Sequence, residues 1–271
     1  MWLWIGHAVY RGPSLRLDRH SGSVHCLAVG VDAPFILHAD SFGRRTVRSA
    51  LIPPRTLHQV VAHETRMLFC YIDPGSPRAH PCWEQMGERV HEFGVHHHRE
   101  AALIRLADQE DMDPAEVMDI ACGPTQVPLD PRIAAATAIV RAHPTRSITA
   151  GELAAEVHLS KSRLLHLFTE HAGTTFRRYR VWARMLAVGR AVGKGADLTT
   201  AAVDAGFASP SHFSDTFHAM CGLTASELLR AGARITILDS LFRKRGQGAN
   251  WQSASAHSHA TPSPSPSSLP L

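Results

Sequence analysis

The sequence predicts two domains: a mainly-β amino-terminal domain and an all-α carboxy-terminal one. Three observations predict this. Residues 1–75 break into short strand-like runs separated by Gly, Pro, Asp and Ser. From Pro131 to about residue 235 the apolar residues recur at helical spacing. The length, 271 residues, fits one or two domains at roughly 150 residues each. An apolar fraction of 44% with 19% charged residues supplies a core and excludes a wholly disordered or fibrous chain. No run approaches the roughly 18 uncharged apolar residues of a membrane span. Met1 to Tyr10 lacks a basic leader, so no secretory signal is expected. The five cysteines, at 26, 70, 82, 122 and 221, form no CxxC pair, which indicates neither a disulfide framework nor a zinc knuckle. A reducing cytoplasmic location is expected.

In chain order, strands are expected at Trp2–Ile5, Ser23–Val29, Phe35–His38, Thr46–Ile52 and Arg66–Ile72, the spacing of a small barrel or sandwich. Pro53-Pro54 breaks one strand and Asp73-Pro74-Gly75 closes another. Residues 86–125 read as one or two acidic helices interrupted near Asp113-Pro114, and Gly123-Pro124 with Pro128 marks a linker. The expected organisation is therefore 1–85, a β domain; 86–130, a helical segment and linker; 131–235, an all-α domain; and 236–271, a tail. From Gln247 that tail is rich in Ser, Pro, Ala and His, a composition too poor in apolar surface to fold.

Charge is segregated. Residues 86–130 carry 3 basic and 10 acidic side chains, and residues 131–235 carry 13 and 7. Lys161, Arg163, Arg177, Arg178, Arg180, Arg184 and Arg190 face only Glu170 within 161–190. That concentration suits a polyanion, or a solvated basic helix face.

The informative stretch is 147–230. Thr149 to Glu152 has capping-box spacing, so a helix starts there with Leu153, Ala154 and Val157 on one face. His158-Leu159 breaks it and Ser160 caps the next helix. In that helix Leu164, Leu167 and Phe168 face inward, while Ser162, Arg163, His166 and Thr169 face out. Two helices joined by so short a turn form a helix-turn-helix, whose second helix enters the major groove. The device recurs. Asp197 caps a helix carrying Leu198, Ala202 and Val203, Gly206 suits a left-handed C-cap, and Ser209-Pro210 opens the next helix. There Phe213 and Phe217 point inward and Ser211, His212 and Asp215 away. Between the copies, Phe176 to Val192 reads as a connecting helix about 24 Å long, able to hold two readers in successive major-groove segments about 34 Å apart.

These stretches resemble the DNA-binding domain of the AraC/XylS family of bacterial transcription regulators. The resemblance covers residues 131–232. It rests on Glu-Leu-Ala-Ala-Glu (152–156), Leu-Ser-Lys-Ser-Arg-Leu-Leu-His-Leu-Phe (159–168), Ala-Gly-Phe-Ala-Ser-Pro-Ser-His-Phe-Ser (205–214), and the glycines Gly173 and Gly222. It implies base-facing roles for Ser162, Arg163, Leu165 and His166 in the first reader and for Ser211, His212 and Asp215 in the second. Phosphate contacts fall to Lys161, Arg177 and Arg178. Arg184 is placed on the connecting helix, bracing it against its flanking bundles. Three departures stand out. His166 and Asp215 occupy positions commonly Arg in the family, and the closing motif reads Thr224-Ala225 with Leu229 and Arg230.

The resemblance further implies a cupin-like barrel at the amino end that senses a small molecule or mediates dimerisation. Trp2, Trp4 and Phe35 are candidate walls of an apolar ligand site. The histidines 20, 25, 38, 58 and 63 lack the His-x-His-plus-Glu arrangement of a catalytic cupin; His96-His97-His98 falls in a predicted helix outside the barrel. No metal, cofactor or catalytic residue is expected. Leu103, Leu106 and the helix 115–121 offer apolar stripes to a second subunit. The expected function is a sequence-specific, effector-responsive transcription regulator without catalysis. Its expected partners are double-stranded DNA, a small-molecule effector, a second copy of the chain and RNA polymerase, with no membrane. The alternatives are a cupin-type metalloenzyme and an interaction module whose double motif no longer reads DNA. A DNA-repair methyl acceptor is disfavoured, since Cys122-Gly-Pro lacks the activated cysteine that chemistry needs.

Overall fold

Alternation along the central strands builds the amino-terminal half. The computed structural model describes residues 1–4, 6–123 and 129–238. Strands β1 (Trp2–Trp4), β2 (His7–Pro13), β3 (His25–Gly30), β4 (Phe35–Ala39), β5 (Gly43–Val47), β6 (Ser49–Ile52), β7 (His58–Val61) and β8 (Arg66–Ile72) form two sheets with a later hairpin, β9 (Met86–Val90) and β10 (Phe93–His97). The large sheet runs β11-β1-β2-β8-β3-β6-β10-β9, where β11 is Thr236–Ile237, and the small one β5-β4-β7. Together they make an open, cupin-like barrel. Successive side chains on a strand point to opposite faces. Val9, Leu27, Val29, Leu68, Cys70 and Ile72 therefore enter one core with the helices outside the sheet. Tyr10, Ala28, Met67 and Phe69 enter another with Phe35 and Leu37 of the small sheet.

The acidic 86–97 stretch is a hairpin and not the expected helix: β9 pairs with β10, and β10 with β6. Glu88 and Arg89 are exposed on β9, the outermost strand, where charge blocks edge-to-edge pairing. Composition alone reads such a pattern as a solvated helix. His97 accordingly lies in the sheet, buried, with Nε2 donating to Ala121 O at 3.1 Å and Nδ1 accepting from Arg99 N. After a short helix α1 (Ala79–Glu84), helices α2 (Glu100–Asp108) and α3 (Pro114–Cys122) cover the sheet. Leu103, Leu106, Val117 and Met118 are buried there, so the stripes expected to meet a second subunit are used within the chain. Trp4 and Phe35 are core, and Trp2 packs against it under the Arg11 guanidinium. The expected linker falls largely on 124–128, outside the described residues. The expected tail opens as strand β11, parallel to β1, with Thr236 N donating to Met1 O; from residue 239 it lies outside the described residues.

The second half is helical: α4 (Pro131–Ala142), α5 (Ala150–Glu156), α6 (Lys161–Ala172), α7 (Phe176–Gly193), α8 (Leu198–Asp204), α9 (Pro210–Cys221) and α10 (Ala225–Arg230). Two small cores share α7. Tyr179, Trp182 and Leu186 enter one with α4–α6, and Met185 and Val188 the other with α8 and α9.

The two halves meet at a buried carboxylate. Asp73, at the end of β8, is 1% exposed. Its Oδ2 accepts from Arg141 Nη1 of α4 at 2.8 Å and Tyr179 Oη of α7 at 3.1 Å, and its Oδ1 from Gly75 N. Burial and then the Asp73 charge push the Tyr179 hydroxyl well above its ordinary range, so it stays a donor. Asp73→Ala would strand the Arg141 guanidinium, and removal of one partner from a buried ion pair costs about 3–5 kcal/mol. Urea denaturation of the full chain should show a loss of that size; an unchanged midpoint would mean the halves are held otherwise.

A second contact predicts a pH dependence. His20 and His58 pair through their backbones, and their rings lie 4.3 Å apart, both buried. Burial, reinforced by the neighbouring His20, pushes His58 down to about 3; burial also lowers His20, against the Asp18 carbonyl and carboxylate. Both are neutral when folded and protonate more readily unfolded. The unfolded chain therefore binds more protons once pH drops below about 6.5, and stability falls with it. The melting temperature should fall between pH 7 and pH 5. His58→Asn, which keeps a donor for Thr56 O, should flatten that dependence; an equally steep fall would assign it elsewhere.

Candidate nucleic-acid interface

Each reader is built by local chemistry. Thr149 and Glu152 form a reciprocal capping box at the start of α5. His158 takes a left-handed turn at φ 55°, and Ser160 caps α6 by accepting from Arg163 N at 3.2 Å. In the second copy Asp197 caps α8 through Thr200 N at 2.9 Å, and Ser209 caps α9 through His212 N at 3.0 Å, with Pro210 at the first helical position. Leu164, Leu167 and Phe168 are buried under α6, and Phe213 under α9. The outward residues Lys161, Ser162, Arg163, Leu165 and His166 are exposed on α6, as are Ser211, His212 and Asp215 on α9. The expected base-facing residues thus share one solvent face on each helix. Helix α7, at 18 residues, spans about 27 Å between the copies.

The two faces differ chemically. On α6 the basic residues Lys161 and Arg163 stand against one acidic residue, Glu170, which lies 3.5 Å from His166. Helix α9 has no Lys or Arg and exposes Asp215. His212 Nδ1 accepts from Ala208 N at 3.3 Å, which places the ring proton on Nε2 as an outward donor.

Of the three expected phosphate ligands, Lys161 and Arg177 are exposed. Arg178 is not free. Its Nη2 donates to Ser21 O, to Ser21 Oγ at 3.2 Å and to Gly22 O at 3.0 Å, so its guanidinium is occupied by the barrel. Spacing on α7 cannot distinguish it from Arg177; only the loop folded over it does. Arg184 braces, as expected: its Nε donates to Pro144 O and the guanidinium sits against Gly206.

Sequence reasoning misses that the barrel grips both readers at their ends. Gly173 and Gly222 close α6 and α9 at φ 60° and 78°. A Cβ on Gly222 would fall 2.7 Å from Asp18 O, and one on Gly173 would fall 3.3 Å from Pro54 Cγ. Asp18 N and Ser21 N donate to Gly222 O and Ala219 O, capping carbonyls that α9 leaves unpaired, and His218 Nε2 lies 3.0 Å from Asp18 Oδ2.

A family model described as a helix-turn-helix domain matches residues 153–231, spanning both readers and α7. The match supports the resemblance to AraC/XylS regulators that the sequence motifs of this stretch carry. No curated protein sequence matches the chain. Among solved structures it is similar in fold to ToxT from Vibrio cholerae. An apo single-substitution variant of ToxT is 13% identical with a TM-score of 0.58, covering 83% of this chain and 97% of ToxT. ToxT bound to an unsaturated fatty acid is 13% identical at 0.56, covering 84% and 97%. ToxT bound to a methylnaphthalenyl butenoic acid is 14% identical at 0.56, covering 84% and 100%. The likeness extends through the barrel as well as the readers. Among the described residues no helix is long and apolar enough to cross a membrane, and no group of three or more His, Cys, Asp or Glu is placed to hold a metal. All five thiols are free.

The asymmetry sets the expected effects. Lys161→Ala should weaken binding to every duplex alike and lower the salt slope by about one unit. Asp215→Asn should strengthen binding severalfold by removing a charge facing the polyanion. Anisotropy titrations at two salt concentrations test both; weaker binding by Asp215→Asn would instead identify that carboxylate as a base acceptor.

Proposed function

We propose that this chain is an AraC/XylS-type regulator that reads DNA sequence through α6 and α9 in successive major-groove segments, with α6 supplying most of the affinity. The observation that carries this reading is the pair of exposed polar helix faces, each backed by its own core and linked by a rod of suitable length. Ser162, Arg163, Leu165 and His166 would face bases in the first segment, and Ser211, His212 and Asp215 in the second. Lys161 and Arg177 would contact phosphate. The protein acts by binding alone, in the cytoplasm, with RNA polymerase as its further partner. A homodimer matching repeated half-sites would use a surface other than the buried faces of α2 and α3.

Effector response belongs to the same proposal. A cavity of about 90 Å³ lies between barrel and second reader, among Tyr10, Phe69, Tyr71, Met185, Phe213 and Leu223. No charged side chain lines it, so a neutral apolar molecule suits it. It lies where barrel and reader meet, and not at the wall expected around Trp2, Trp4 and Phe35.

The test is fluorescence anisotropy of the full chain with DNA from around its own gene, against an unrelated duplex. Selective binding that Arg163→Ala relaxes by about 1–3 kcal/mol is expected. Absence of binding by a folded chain to any duplex would favour the interaction-module reading, for which the exposed Asp215 is the supporting observation.

A further inference from the structure

The barrel places an arginine of its own between the two readers. The loop after β6 carries it. Pro54 packs on Gly173 at the end of α6, where a Cβ would fall 3.3 Å from Pro54 Cγ, and Arg55 follows. Arg55 is exposed and left-handed at φ 69°. That backbone favours glycine, and a larger residue persists there only where its surroundings hold it. Here Arg55 N donates to Gly22 O at 2.9 Å. The same carbonyl accepts from Arg178 Nη2 at 3.0 Å, so one oxygen ties the Arg55 backbone to the start of α7. No carboxylate answers the two charges. Among the described residues neither arginine makes an ion pair, and Asp18, on the same loop as Gly22, lies against His218 Nε2 at 3.0 Å. Burial and then the Arg55 charge lower the Arg178 guanidinium from its ordinary range. Like charges held together without a counterion favour an anion from outside the chain.

The surroundings of the pair identify the anion. Arg178 and Val181 of α7 border an open concavity with Asp215 and Thr216 of α9 and Ser23 of the barrel. Asp215 belongs to the outward face of the second reader, so the start of α7 opens to the same side as that reader. Arg177 is exposed beside it. A duplex laid on two readers in successive major-groove segments turns its minor groove, and the phosphates bordering it, to the rod between them. We infer that the barrel itself touches DNA there, with Arg55 bonding a backbone phosphate between the two readers. Arg178 has given Nη2 to the loop and contributes its charge; the Arg55 guanidinium makes no bond among the described residues. The inference rests on the DNA-reading proposal and adds a contact from outside the helical half. A grip on DNA shared by both halves ties affinity to the placement of the barrel.

Anisotropy titrations of the full chain test this, with the duplex from around its own gene and an unrelated one, over several salt concentrations. Arg55→Asn removes the charge with a side chain that tolerates the left-handed backbone. It should weaken binding to both duplexes alike and lower the salt slope by about one. Arg55→Lys, which keeps the charge, should keep the slope. Arg105→Asn, which removes an exposed charge from α2, should change neither affinity nor slope. Weaker binding by Arg55→Asn at an unchanged slope would mark a structural role and overturn the inference. An equal loss with Arg105→Asn would assign the effect to net charge, and a loss confined to one duplex would assign it to base reading; either overturns it. Lys161→Ala separates the two proposals. A slope lowered by Lys161→Ala but not by Arg55→Asn would overturn the barrel contact and leave the DNA reading standing. A folded chain that binds no duplex would overturn both.

Discussion

Everything in this molecule hangs on where a single carboxylate is buried. Asp73 sits at the end of a central barrel strand and holds one residue from α4 and one from α7, the rod between the readers. A lone charge at 1% exposure would be intolerable. Paired to Arg141 and hydrogen-bonded to Tyr179 and Gly75, it is accepted only when all three elements are in place. Gly6 belongs to the same constraint, since a Cβ there would fall 2.0 Å from Asp73 Oδ2. Apolar burial gives each half its core, but is not directional. The ion pair supplies the direction and sets how the barrel addresses the helices.

The barrel then acts on the readers at their ends and leaves their faces alone. Its loops cap the α9 carbonyls, occupy Arg178 and pack against both closing glycines. The side chains proposed to face bases remain exposed. A change in the barrel can therefore alter the angle between the two readers without touching any of the proposed base contacts. This matters because the readers are chemically unequal. The first carries its own electrostatic attraction; the second, with Asp215 and no Lys or Arg, depends on being placed correctly.

What was legible in the sequence follows the range of the interactions. Caps, turns and inward periodicity are local, and Thr149, Ser160, Asp197 and Ser209 each cap as their neighbours demand. Both readers were legible for that reason. The hairpin at 86–97 was not, because its charges read as a helix face until its pairing with β6 is known. Strands β2 and β7 escaped as well: besides the adjacent β1, β2 pairs with the distant β8, and β7 pairs with β4. Arg178 illustrates the same limit at a candidate site residue. Its neighbours in sequence make it one of several basic residues, and only Ser21 and Gly22, more than 150 positions earlier, decide its role.

The junction also explains why two concave sites can coexist without competing. One is apolar and lies between barrel and second reader; the other is lined by α4 and α7, with Arg141 and Arg190 among its residues. Both border α7, on which Met185 and Val188 face one core and Tyr179, Trp182 and Leu186 the other. A rod packed on two sides cannot shift toward one core without loosening the other, because packed interiors deform in steps and not continuously. Occupants of the two sites would thus act on the same element, and their effects on reader geometry would be coupled through it by differential affinity for its positions.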